Sequence, residues 1–215
     1  PAWVAVRHQF LMLRGDLHQL RGEWADARDA FEQAVAVGAE GDESEVRAAR
    51  LKLARSLRSL GELDSAEREA STALAGARDR IDRTHIADGL LALAGIAWAR
   101  GDLDACERHA QEGLVGATGT AFLGQRANLL VALATAQASR GMLASAAGGI
   151  AEAQILYRDL GLRPARAIAL ANLAEILLLQ GDVGSAWQAA SDSLAEAAAA
   201  GHRVGDVTAR DVRAG

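Results

Sequence analysis

Cys106 and His109 stand three residues apart in a segment with helical patterning, which sets a thiol and an imidazole on one helix face. Such a pair suits a thiolate nucleophile with its base, or half of a metal-binding set. The competing reading is a small core residue, because alanine fills the equivalent place in four other segments, at Ala27, Ala66, Ala146 and Ala186. Unpaired cysteine is among the most buried residue types, and this second reading is the one adopted. His8, His18, His85 and His202 have no local ligand spacing, and neither His-Glu-x-x-His nor Gly-x-Ser-x-Gly occurs. A phosphate-cradling loop needs Gly-Lys-Ser/Thr, but the only lysine, Lys52, follows Leu51. Gly113, Gly116 and Gly119 are spaced by three and follow no strand, unlike the dinucleotide fingerprint. The expectation is a non-enzyme with no cofactor and no metal site.

The elements that carry these residues are repeats. Gly22, Gly61, Gly101, Gly141 and Gly181 are separated by 39, 40, 40 and 40 residues. Two residues after each comes Trp24, Leu63, Leu103, Leu143 or Val183, five after comes alanine or Cys106, and nine after comes Phe31, Ala70, Ala110, Ile150 or Ala190. Offsets 2, 5 and 9 follow one face of a helix. Seven residues before the glycine sits Gly15, Ala54, Ala94, Ala134 or Ala174, small enough for two backbones to approach closely. The glycine supplies the positive φ that ends one helix, and Glu23, Glu62, Asp102 and Asp182 stand at the positive end of the next. The expected helices run 2 to 21 and 23 to 38, 43 to 60 and 62 to 80, 83 to 100 and 102 to 116, 119 to 140 and 142 to 160, 163 to 180 and 182 to 200.

With 50% hydrophobic and 4% aromatic residues in 215, the core must be built mainly from Ala, Leu, Val and Ile. Arg28 with Glu32, Asp64 with Arg68, and Arg108 with Glu112 read as i,i+4 pairs on solvated faces, each worth a few tenths of a kcal/mol. Gly113, Gly116 and Gly119, and Gly148-Gly149 inside an expected helix, suit either close packing or a hinge, and packing is the favoured reading. A net charge of −5 spread over every segment gives no footprint for nucleic acid. No apolar run is long enough to span a membrane, and a single cysteine fits a reducing, cytoplasmic setting.

The run Gly61-Glu62-Leu63-Asp64-Ser65-Ala66 and its counterparts resemble the tetratricopeptide repeat family, whose usual period is 34 residues. The longer units are similar to those of MalT-like bacterial signalling regulators and LGN-type scaffolds. Arg14 and Arg50, where other repeats carry Leu, and Gly113, where Ala is usual, depart from the pattern. The resemblance implies an all-α, right-handed α-solenoid of five antiparallel helix pairs, with repeats at 2–38, 43–80, 83–116, 119–160 and 163–200 forming an array over 1–200. Residues 201–215 read as the start of a truncated sixth repeat, so the array is expected to continue in both directions.

The resemblance further implies that the first helix of each pair lines a concave groove. Its ligand-facing positions include Lys52, Arg55, Arg58, Leu91, Trp98, Asn128, Thr135, Asn172 and Glu175. That mixture suits a protein or peptide with an acidic end and an apolar anchor, and Trp98 is either a hot spot for it or a ring packed between repeats. The expected function is a non-catalytic interaction module within a larger bacterial signalling protein. The alternatives are a sensor that takes a small molecule or signalling peptide inside the superhelix, and an array that self-associates through uncapped ends.

Overall fold

Each turn glycine closes a helix in the same way. At Gly61 the backbone φ is +80°, the Gly61 N–H donates to the Arg58 carbonyl at 3.0 Å, and the Glu62 N–H donates to the Leu57 carbonyl at 2.9 Å. This pair of reversed bonds satisfies carbonyls that a helix end leaves open. Gly22, Gly101, Gly141 and Gly181 repeat it, with φ between +74° and +81°. The turns between pairs use the same device at Gly161 and at Ile81, a β-branched residue held at φ +55°, and Gly201 after α10 also has a positive φ, +67°.

The computed structural model describes residues 2–38 and 42–201. Ten α-helices result among the described residues: α1 (Ala2–Arg21), α2 (Trp24–Gly38), α3 (Glu43–Ser59), α4 (Leu63–Asp79), α5 (Arg83–Ala99), α6 (Leu103–Gly116), α7 (Leu123–Ser139), α8 (Leu143–Asp159), α9 (Arg163–Leu179) and α10 (Val183–Ala199). The fold is an all-α helical-repeat solenoid. Of the segment 201–215, expected to open a sixth repeat, only Gly201 lies within the described residues.

One helix departs from expectation. Gly119 sits at φ +92°, a 3₁₀ turn spans Thr120–Phe122, and α7 begins only at Leu123. The left-handed glycine prevents the helix from starting at 119. Gly113, by contrast, packs: a Cβ there would lie 2.7 Å from Leu129 Cδ2. In α8 the two adjacent glycines differ, since a Cβ at Gly149 would lie 3.3 Å from the Ala134 Cβ whereas Gly148 faces open space; the expected close packing is corrected at Gly148, Gly116 and Gly119, where an added Cβ meets nothing within 4 Å.

The chain forms two compact units, Pro1–His109 and Ala110–Gly215, divided within α6. In unit 1, α1 packs on α2, α2 on α3, α3 on α4, and α5 on both α3 and α4. Its core joins Phe31, Leu53, Leu57, Leu74, Leu90, Leu93 and Ile96 with alanines at the close approaches. Gly15 makes room for Phe31, because a Cβ would lie 2.5 Å from its ring. In unit 2, α8 packs on α7 and α9, α9 on α10, and the core gathers Leu130, Ile150, Tyr157 and Ile176.

The acidic residues at the helix starts divide by length. Asp102 and Asp182 accept from the backbone N–H groups of Ala105 and Ser185 at 2.9 and 3.0 Å, and Asp42 and Asp82 cap α3 and α5 likewise. Glu62, one methylene longer, does not cap but accepts from Arg28 at 3.1 Å. Two of the expected i,i+4 pairs are therefore corrected. Arg28 binds Asp29 and Glu62 instead of Glu32, and Asp64 joins Glu67 in holding Arg100 instead of Arg68. A long guanidinium reaches the stacked neighbour: Arg100 forks onto two carboxylates of α4, and Arg28 divides between Asp29 on its own helix and Glu62 of the next pair. Of the two arginines that replace core leucines, Arg50 pairs with Glu69 at 2.5 Å, while Arg14 buries its Nε with no acceptor.

Candidate partner-binding faces

In unit 1 the first helices of the three pairs stand side by side, and their polar residues sort into spent and unspent groups. Lys52 Nζ donates to both Asp16 oxygens at 2.5 and 2.6 Å, so its charge is already neutralised. Gln19 donates to Lys52 O at 3.1 Å and to the buried Ser56 Oγ at 3.0 Å, tying α1 to α3. One turn along, Arg55 is exposed and Arg58 is half-buried. The Arg58 guanidinium lies over Gly95 of α5, whose Cβ would fall 2.1 Å from Nη1, so any other residue there would displace it. Burial, and then the neighbouring charge of Arg55, push the Arg58 pKa down. Neither arginine has a carboxylate partner among the described residues. Trp98 follows Gly95 by one turn and leaves 49% of its surface exposed, and Leu91 is half-buried one turn before it.

Unit 2 carries the remaining expected residues on α7 and α9. Asn128 is exposed, and its Oδ1 accepts from the Tyr157 hydroxyl at 2.7 Å. Tyr157 is 4% exposed, and burial pushes its hydroxyl up to about 12, so it remains a donor. Sequence reasoning missed this tie, which spans α7 and α8; an aromatic at an otherwise alanine-rich joint was the available signal. Thr135 returns its hydroxyl proton to the Val131 carbonyl at 2.8 Å, leaving oxygen lone pairs outward. Asn172 is half-buried and Glu175 exposed.

The chemical candidates resolve differently. Cys106 is fully buried, and desolvation, then the charges of Glu107 and Asp102, push its thiol up to about 11. A thiolate at that site is disfavoured near neutral pH. His18, assigned no ligand spacing from sequence, is brought near Glu23 and Asp26 by the Gly22 turn, and the three offer ligand atoms within 4.8 Å. His18 Nδ1 already bonds Glu23 at 2.6 Å, and both acids are exposed, so the cluster reads as a tie across the turn. No described helix is long and apolar enough to cross a membrane.

No protein-family model matches this sequence, and no curated protein sequence matches it. Solved structures do resemble the fold. The Rap conjugation gene regulator of plasmid pLS20, in complex with the Phr* peptide, superposes with a TM-score of 0.84 at 14% identity, over 96% of this chain and 57% of that one. A Rap protein complexed with competence and sporulation factor gives 0.82 at 18% identity, over 89% and 54%. The chain thus spans just over half the length of these two. TTC0263, a thermophilic TPR protein of Thermus thermophilus, gives 0.72 at 20% identity, over 96% and 97%. At these identities the likeness is one of fold, and at that level the chain is a tetratricopeptide-like repeat protein.

Proposed function

We propose that the protein is a peptide- or protein-binding regulatory module, and that the first-helix face of unit 1 is where recognition is strongest. The observation that carries this reading is the pair of unspent cations, Arg55 and Arg58, beside the half-exposed ring of Trp98. Asp16 on that face is held by Lys52, so an acidic residue of a ligand would give the two arginines an acceptor. A partner segment with an acidic residue for the arginines and an apolar side chain for Trp98 and Leu91 meets both requirements. Lys52 sets Asp16 rather than reaching the ligand. In unit 2, Asn128, Thr135, Asn172 and Glu175 offer amide, hydroxyl and carboxylate groups for a separate, more polar contact. The two Rap structures, each bound to a peptide or factor, support peptide recognition by this fold. A role in a bacterial signalling regulator, placed in the cytoplasm, completes the proposal.

Selection of displayed random peptides on the protein tests it. Selected sequences should pair an acidic residue with an apolar anchor. They should lose at least about tenfold in affinity, or 1.4 kcal/mol, in Arg55→Glu and in Trp98→Ala, with unchanged far-UV circular dichroism. Selected peptides that bind both variants as well as the wild type would move recognition off this face.

A further inference from the structure

We propose that Arg55 and Arg58 close on a single side-chain carboxylate of the bound segment, and that Gly95 fixes that acid between two apolar residues of the segment, one for Leu91 and one for Trp98. This rests on the first-helix face of unit 1 being the recognition face, and it gives the ligand an order: apolar, acidic, apolar.

The position of Gly95 sets that order. Six residues before the turn glycine the other first helices carry Asp16, Arg55, Thr135 and Glu175, and only α5 has no side chain there. A glycine inside a helix costs stability relative to alanine. Here the vacated volume is taken by a neighbouring helix. An added Cβ would lie 2.1 Å from Arg58 Nη1 and 3.3 Å from its Cζ, so the α3 guanidinium sits where an α5 side chain would be. Leu91 comes four residues before Gly95 and Trp98 three after it, about 6 Å and about 4.5 Å along the axis, and the three share one helix face. The face of α5 therefore reads apolar, cationic, apolar, with the charge borrowed from α3. An acid at the end of a ligand would leave Leu91 or Trp98 without an apolar partner. An acid with apolar residues on both sides serves all three places, and it is then a side chain and not a chain terminus.

One carboxylate suffices for two arginines at this spacing. Arg163 and Arg166, also three residues apart, both bond Glu196, one to each oxygen, at 3.5 and 2.6 Å. Arg47 and Arg80 likewise share Glu43 Oε2, at 3.9 and 2.8 Å. Arg55 and Arg58 have no such acid among the described residues. Of the two, Arg58 gains more from one, because half-burial withholds water from its guanidinium.

Random peptides selected on the whole chain, displayed with their C-termini fused to the coat protein, supply the probe. Their consensus should place Asp or Glu between two apolar residues. One consensus peptide, with fluorescein at its N-terminus and an amide at its C-terminus, is titrated by fluorescence anisotropy beside an analogue whose acid is replaced by the amide. The wild type should bind the acidic peptide at least about tenfold tighter than the analogue. Gly95→Ala, which pushes the guanidinium aside, and Arg58→Gln should each cut that preference below about threefold, leave the analogue's affinity within about twofold, and keep helicity unchanged. Trp98→Ala should weaken the two peptides alike. A consensus with the acid at one end, or a Gly95→Ala loss equal for both peptides, overturns this inference while peptide binding at this face stands. Failure to select any peptide overturns both.

Discussion

Units 1 and 2 use the same glycine turn, yet they distribute bulk and charge differently. In unit 1 the large residue is Phe31 on a second helix, and the facing first helix gives up its Cβ at Gly15. In unit 2 the exchange is also made in the opposite direction, with Leu129 on a first helix and Gly113 facing it from a second. The quantity held constant is the volume of a facing pair, not the residue at a position. The polar faces differ as well. Unit 1 leaves Arg55 and Arg58 without acceptors, whereas unit 2 satisfies Asn128 with Tyr157 and Thr135 with its own backbone.

The sharpest way to break this pairing of volumes is Phe31→Ala, which should cost about 3–5 kcal/mol in urea unfolding. Gly15→Ala alone should cost about 1–3 kcal/mol through overpacking against the ring. Together they recreate the Ala54–Ala70 pairing of the next repeat, so the double variant should be more stable than Phe31→Ala by about 1–2 kcal/mol. Additive losses would show that the two positions are independent.

The next effect separates the units by pH. Burial opposes ionisation of Asp82, but hydrogen bonds from the His85 side chain and backbone and from Arg47 outweigh it, holding the carboxyl below the usual carboxylate range. A depressed carboxyl stabilises the fold above its ordinary value near pH 4, and that stability is lost as pH falls through the folded value. Asp82→Asn keeps a capping oxygen but removes the charge that faces His85 and Arg47; it should cost about 1 kcal/mol at neutral pH, and the difference from wild type should vanish in acid. Tryptophan fluorescence reads this mainly from unit 1, which holds Trp3, Trp24 and Trp98 against Trp187 in unit 2. A wild-type acid transition unmoved by Asp82→Asn would refute it.

Two gains complete the series. Ile81→Asn should stabilise unit 1 by about 1 kcal/mol, since asparagine tolerates the left-handed region that a β-branched residue resists. In unit 2, Gly148→Ala should add roughly 0.5–1 kcal/mol in an open helix interior, and Gly149→Ala, pressed against Ala134, should add less. Equal gains at the two glycines would contradict the close joint between α7 and α8. Thermal denaturation monitored by circular dichroism reads all three variants.

The fold was legible because its turn is chemically demanding: a residue held in the left-handed region favours glycine, so the glycine spacing numbered the helices before any contact was known. The volume exchange was only half legible. Gly15 and Phe31 each stood out against their repeats, but their mutual contact depends on how two helices register in space. Ion pairing was misread because local spacing reports only a helix's own partners, and Arg28 and Arg100 reach across the stack. The arginine pair was found by register, while its lack of acceptors needed coordinates to see.

The alanine lining of the joints has a calorimetric consequence. Alanine buries little apolar surface and freezes no side-chain rotamer, so each residue that enters this core contributes less to the heat-capacity increment of unfolding than a leucine or phenylalanine would. A smaller increment flattens the dependence of folding free energy on temperature. The protein should therefore keep nearly the same stability from cold to warm conditions, and its recognition faces should stay equally well ordered across that range.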